Sequence, residues 1–249
     1  MTVKAKEYPT WELGGIIKKA EVIMYILSVI KADLPVTGME LVRHAKELNW
    51  SVSVTHVYKL LKSLEKHDPK KERFPILSSK WLDDGCRERL YYLLPLTGEN
   101  FANHAISTML ERIDRVHQLI RSIERELSID SSISPTPIPD SQELLSVRDL
   151  YRVCLLSHAQ NGISIRDQIK IGAFGLHINK DHYRLQAEWL ATNNYFASST
   201  DSITSEGEGY LLDLKSQLIA QLPYAKLRIK DLKEYPTIYQ RKRMVKSHP

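Results

Sequence analysis

Seven apolar residues, Ile106, Met109, Ile113, Val116, Ile120, Ile123 and Leu127, recur at alternating intervals of three and four. That is an unbroken heptad seam, and it requires one long helix over residues 96–127 with Thr97 as its cap. A helix lying on its own domain shows a wider and less regular apolar stripe, so the seam reads as a dimerisation helix between two copies of the chain. A chain of 249 residues has room for one or two further folded bodies around such a rod.

The clearest break follows the rod. Residues 131–141 read SSISPTPIPDS, in which three prolines at alternate positions disfavour helix and the small polar residues offer little core. They predict a linker over 129–142. Before the rod, Val22, Ile23, Ile26, Leu27 and Ile30 form one face of a helix within 16–31. Thr37 caps a second helix over 38–48, and Ser53 caps a third carrying Val54, Val57, Leu60, Leu61 and Leu64. Two segments with period-two alternation, 74–81 and 87–94, then flank Asp83-Asp84-Gly85, which is a hairpin signal. Three helices followed by a hairpin is the order of a winged helix-turn-helix, whose third helix enters the major groove of DNA.

Beyond the linker the order recurs in shorter form. Helices are expected at 144–158, at 164–171 with Ser164 as cap, and at 180–193 with Asn179 as cap. A small hairpin follows over 195–204, then a closing helix over 205–221. Leu96-Thr97-Gly98 after the first hairpin parallels Ile203-Thr204-Ser205-Glu206-Gly207 after the second. The fold expected is mainly α with small β wings: tandem winged helix-turn-helix domains (1–95 and 143–222), the dimerisation helix (96–128) and linker between them, and a basic tail over 223–249.

The third helix carries Val57-Tyr58-Lys59-Leu60-Leu61-Lys62-Ser63-Leu64-Glu65, and the hairpin returns through Arg87-Glu88-Arg89-Leu90-Tyr91-Tyr92-Leu93-Leu94-Pro95-Leu96-Thr97. In these runs, across roughly residues 16–127, the chain resembles the PadR family of bacterial transcriptional regulators. That resemblance implies a DNA-binding winged helix and dimerisation through the long helix behind it.

Charge decides where DNA contact is expected. The whole chain is only +5, too little by itself to imply a nucleic-acid partner. Residues 1–127, however, carry 20 basic and 17 acidic side chains, residues 128–223 carry 7 and 11, and residues 224–249 carry 8 and 2. Neutralising phosphates needs local positive charge, so the first domain and the tail qualify and the second domain does not. Ser53, Thr55, His56 and Lys59 stand where base edges would be met, and Lys62, Lys80, Arg87 and Arg89 suit phosphate. Tyr58 either bonds a phosphate or fills the core. The tail interleaves its basic residues with Tyr224, Tyr235 and Tyr239, which suits flexible phosphate contact or a solubilising end.

Catalytic patterns are missing from the sequence. Cys154 and His158 are four apart, but no further ligand completes a metal site; Cys86 is the only other cysteine. The segment 172–175, GAFG, lacks the lysine of a phosphate loop. No enzyme activity, cofactor or metal is expected. No apolar run approaches the ~20 residues needed to span a bilayer, and no secretory leader is visible, so a cytoplasmic, nucleoid-associated protein is expected. The sequence reads as a homodimeric, sequence-specific transcriptional regulator, acting as a repressor on double-stranded DNA, from a bacterium or mobile element. Two alternatives are a tandem winged-helix replication or partition factor, and an adaptor that holds a protein partner at residues 143–222.

Overall fold

The structure, a computed structural model, describes residues 11–33, 35–66, 74–82, 88–127, 144–164, 167–168, 174–175, 179–197 and 202–246. Arg87, Cys86, both hairpin turns, the linker and most of the expected helix at 164–171 lie outside the described residues. The chain is mainly helical with small antiparallel sheets. It divides into two compact units: residues 1–11, 17–113 and 228–249 form the first, and residues 12–16 and 114–227 the second.

After two short strands, β1 (Trp11–Glu12) and β2 (Ile17–Lys18), the first unit has α1 (Lys19–Val29), a 3-10 turn (Ile30–Asp33), β3 (Val36–Thr37), α2 (Gly38–Glu47) and α3 (Val54–Glu65). The hairpin β4 (Leu77–Trp81) and β5 (Arg89–Leu93) follows. Thr37 caps α2 as its spacing implied, and Glu40 completes the reciprocal half of a capping box by accepting from the Thr37 N–H at 2.7 Å. Ser53 caps α3 by accepting from the His56 N–H. The strand β3 is too short to leave a sequence pattern; it pairs with β5, so the sheet order is β3-β5-β4. Val22, Ile23, Ile26, Leu41, Val42, Val57, Leu61, Leu64, Leu77 and Tyr91 are buried, and at about 1.5–3 kcal/mol for each large apolar side chain they dominate the unit's stability.

Two expectations about the long helices need correction. The helix α4 (Thr97–Glu126) forms where the heptads place it, but its seam is not open to a partner. Met109, Ile113, Val116, Ile120 and Ile123 are buried within the single chain, together with Ala102, Ala105 and Leu119, while Ile106 and Leu127 are half-buried. The buried stripe is wider than a strict heptad seam, and a face already removed from water gains nothing more from a second helix. The dimerisation role of the seam therefore falls.

The closing helix also differs from the expectation. It follows α5 (Val147–Gln160) and α6 (Lys180–Thr192), and as α7 it runs from Ser205 to Lys246, through Pro223 and into the basic segment. No helix end lies at 221, and no flexible tail begins at 223. From Arg228 onward this helix belongs to the first unit, where Ile229, Leu232 and Tyr235 are buried. Tyr235 meets the rings of Tyr25 and His44 at 6.3 and 6.0 Å, and Lys242 pairs with Glu47 at 3.1 Å. A proline inside a helix has no N–H for the carbonyl four residues back. For Pro236 that carbonyl belongs to Leu232, and the buried Tyr25 hydroxyl donates to it at 2.8 Å. Burial pushes the Tyr25 hydroxyl up to about 12, which keeps it a donor. Tyr25→Phe should cost about 1–3 kcal/mol, the penalty for an unsatisfied buried carbonyl. In a urea double-mutant cycle with Pro236→Ala, that cost should shrink, because the introduced alanine restores an amide donor.

The second unit contains α5, α6, the strands β6 (Phe196–Ala197) and β7 (Ser202–Ile203), and the first part of α7. Its hydrogen bonds repeat those of the first unit at matching positions. Ile76 N–H donates to Leu64 near the end of α3, and Tyr195 N–H donates to Leu190 near the end of α6. Leu94 N–H then returns to Ile76, as Thr204 N–H returns to Tyr195. The Thr97 hydroxyl donates to the Pro75 carbonyl, two residues before β4; the Thr204 hydroxyl donates to the Asn194 carbonyl, two residues before β6. Gly98 and Gly207 each open the next helix against the residue that follows that carbonyl's residue, Ile76 and Tyr195 respectively. The helices match too. Caps Ser53 and Asn179 align, and so do the buried positions Val57 with Tyr183, Leu61 with Ala187 and Leu64 with Leu190.

Candidate nucleic-acid interface

The candidate interface is the outer face of α3 together with the β4–β5 hairpin. The core face of α3 is set by Val57, Leu61 and Leu64, all buried, which turns Thr55, Lys59, Lys62 and Lys66 to solvent. Among the described residues none of these three lysines has a carboxylate within ion-pair distance. They form a row of available charge along α3 and its C-cap, Lys66, at i, i+3 and i+7, with no acidic side chain on the same exposed line.

The remaining α3 residues contribute differently from what their positions in sequence imply. Ser53 is exposed, but its hydroxyl oxygen is engaged as the helix cap. His56 turns inward: it is half-buried, and its Nε2 is shielded from solvent with no hydrogen-bond partner among the described residues. It is not displayed for a base edge. The Tyr58 ring lies over Gly38, so close that a Cβ on that glycine would stand 2.7 Å from the ring. Burial, then the Glu88 carboxylate, pushes its hydroxyl upward from the ordinary tyrosine value. Tyr58 thus packs the start of α2 against α3. Ser63 donates to the Leu60 carbonyl of its own helix at 2.7 Å.

The hairpin register separates two residues that sequence alone places together. Lys80 pairs across the ladder with Leu90, and Trp81 pairs with Arg89. Directly opposed residues share a face, and successive residues alternate, so Lys80 and Arg89 project from opposite faces of the ribbon. Lys80 is exposed. Arg89 shares the face of the buried Leu77 and Tyr91, where its guanidinium lies 3.8 Å from Glu65, 3.5 Å from the Ser79 hydroxyl and 4.3 Å from the centre of the Trp81 ring. It fixes the hairpin to the end of α3 and is not a free phosphate ligand. Trp81, 54% exposed beside it, escapes reasoning led by charge; its signal is an aromatic residue at the solvent end of an alternating strand.

The basic end of α7 is not a separate arm. Arg228 lies 5.6 Å from the Trp50 ring and Asp231 accepts from the Asn49 side chain at 3.5 Å, while Lys230, Lys233 and Arg241 remain exposed. A cavity of about 100 Å³ lies between α2 and this segment, lined by Glu47, Leu48, Asp231, Tyr235, Ile238, Tyr239 and Lys242.

In the second unit Cys154 is buried, which pushes its thiol well above the ordinary range and leaves it protonated. His158 is pushed downward by burial. Among the described residues no three His, Cys, Asp or Glu side chains group as a metal site, and no helix is long and apolar enough to cross a membrane. No protein-family model, curated protein or solved structure matches this chain.

Proposed function

We propose that the chain is a sequence-specific transcriptional regulator that binds duplex DNA through its first unit, used as a winged helix-turn-helix. In this reading α3 enters the major groove with Thr55 and Lys59 toward base edges. Lys62 and Lys66 neutralise phosphates, and Lys80 at the hairpin meets the flanking backbone. The observation that carries the reading is the row Lys59, Lys62 and Lys66, exposed and unpaired among the described residues on the one helix whose place before the hairpin suits groove entry. Ordinary surface lysines are commonly interspersed with acidic side chains along a helix; this row is not. The second unit is read as a further winged-helix-like body, supported by the matched hydrogen bonds of the two hairpin-to-helix junctions.

Selection of bound duplexes from a random-sequence library by the full chain tests this. A single enriched motif is the expected outcome. If its halves form an inverted repeat, two copies bind by two-fold symmetry; direct repeats instead favour the replication or partition factor. A library recovered without enrichment at moderate salt contradicts sequence-specific binding.

A further inference from the structure

Helices α3 and α6 occupy equivalent places in their units but have outward faces of different character. Where α3 presents Thr55, Lys59, Lys62 and Ser63, the same positions of α6 hold Asp181, Leu185, Glu188 and Trp189. The three lysines of the α3 row, Lys59, Lys62 and Lys66, correspond here to Leu185, Glu188 and Thr192, an apolar side chain, an acid and a neutral hydroxyl. Leu185 and Trp189, one turn apart, are 56% and 37% exposed. Acidic side chains on the same line would repel a phosphate backbone, so this face suits protein.

Trp189 is held as a rigid anchor. The Arg152 guanidinium covers one side of its ring at 3.5 Å, and the stacked pair Tyr195 and Tyr210 flanks it at 5.9 and 6.0 Å. Arg152 is itself fixed, donating to Gln186 Oε1 at 2.9 Å and to the Tyr210 hydroxyl oxygen at 3.1 Å. A fixed aromatic side chain loses little conformational freedom when its open side is covered, which is the property of an interface hot spot.

The charges beside it say what would cover it. Arg184 and Glu188 are exposed, one turn apart, and make no ion pair among the described residues. A two-fold axis perpendicular to α6, level with Gln186 and Ala187, would run a second α6 antiparallel to the first. The apolar pair Leu185 and Trp189 would then meet its counterpart, and Arg184 would stand opposite the partner subunit's Glu188, with the reciprocal pair formed at the other end. The face is complementary to itself in both apolar pattern and charge.

We propose that this face of α6 docks a second copy of the chain in an antiparallel two-fold contact. The inference does not depend on DNA binding by the first unit. One helix pair is a small interface, so dimerisation is expected in roughly the micromolar range.

Sedimentation equilibrium of the full chain provides the test. Wild type should dimerise, and R184E and E188R should each weaken dimerisation by about ten-fold or more, because each sets like charges together twice. Combining R184E and E188R on one chain should restore the dimer. An equimolar mixture of the two single variants should form heterodimers, which charge pairing within one helix could not produce. L185D should abolish association, with circular dichroism confirming that the helices remain. A wild type that stays monomeric at hundreds of micromolar overturns the proposal, as does a wild-type dimer whose mixed single variants fail to associate. Monomeric protein whose tryptophan emission is quenched by single-stranded oligo-dT also overturns it, and would assign the aromatic cluster to base stacking.

Discussion

Gly207→Val will unfold the second unit or leave it marginal. In the first turn of α7 a Cβ at this position would fall against the Tyr195 carbonyl and stand 2.9 Å from Ile203 Cγ1. The obstruction is mainly backbone, so no flexible side chain can move aside. Forced displacement of a strand from a helix belongs with the overpacking substitutions that cost about 3–5 kcal/mol at their upper end. A small body of about 5–15 kcal/mol total stability survives that poorly. Gly209 lies two residues further along the same helix with nothing within 4 Å of its would-be Cβ. Gly209→Ala should therefore be neutral or stabilising by up to about 1 kcal/mol, from helix propensity alone. Gly98→Val should fall between them, since its closest neighbour is the Leu93 side chain at 2.9 Å, with the Ile76 carbonyl at 3.3 Å. Urea unfolding followed by circular dichroism ranks the three. If Gly207→Val unfolds like Gly209→Ala, the close approach of helix to strand is absent.

The second large effect is on DNA. Replacing Lys59, Lys62 and Lys66 together by alanine should weaken duplex binding by about 10²–10³-fold at low salt, because each neutralised phosphate adds counterion release. Alanine favours helix at Lys59 and Lys62, and Lys66 is the exposed C-cap of α3, so stability should change little. Arg89→Ala belongs to another class. Its guanidinium serves Glu65, Ser79 and the Trp81 ring, so its loss should loosen the hairpin and reduce affinity while changing the salt dependence little.

Local grammar is legible in the sequence and tertiary coverage is not. Thr37, Ser53 and Asn179 act as caps because a cap needs only its own first turn, which the sequence contains in full. The β4–β5 hairpin is visible for the same reason. The heptads in α4 show that one face is apolar, but the pattern does not say whether the covering atoms come from another chain or from the same one. The basic segment reads wrongly as a tail because Pro223 and a run of lysines look like an ending. Yet Ile229, Leu232 and Tyr235 keep helical spacing through it, and the carbonyl that Pro236 leaves without a donor is supplied by Tyr25, far away in sequence. In the candidate interface, Lys59, Lys62 and Lys80 can be placed from periodicity alone. The inward turn of His56, the packing of Tyr58 on Gly38 and the engagement of Arg89 cannot, because each depends on a neighbour brought from another element.

The most direct measurement is the affinity of the full chain for a duplex carrying the selected motif, followed by fluorescence anisotropy between about 50 and 200 mM salt, for wild type and for the triple lysine variant. If the exposed row on α3 neutralises phosphates, log affinity should fall linearly with log salt, and the variant's slope should be shallower by about 0.9 for each lysine that meets a phosphate. Equal slopes for the two proteins, with affinity unchanged, would contradict DNA recognition through α3.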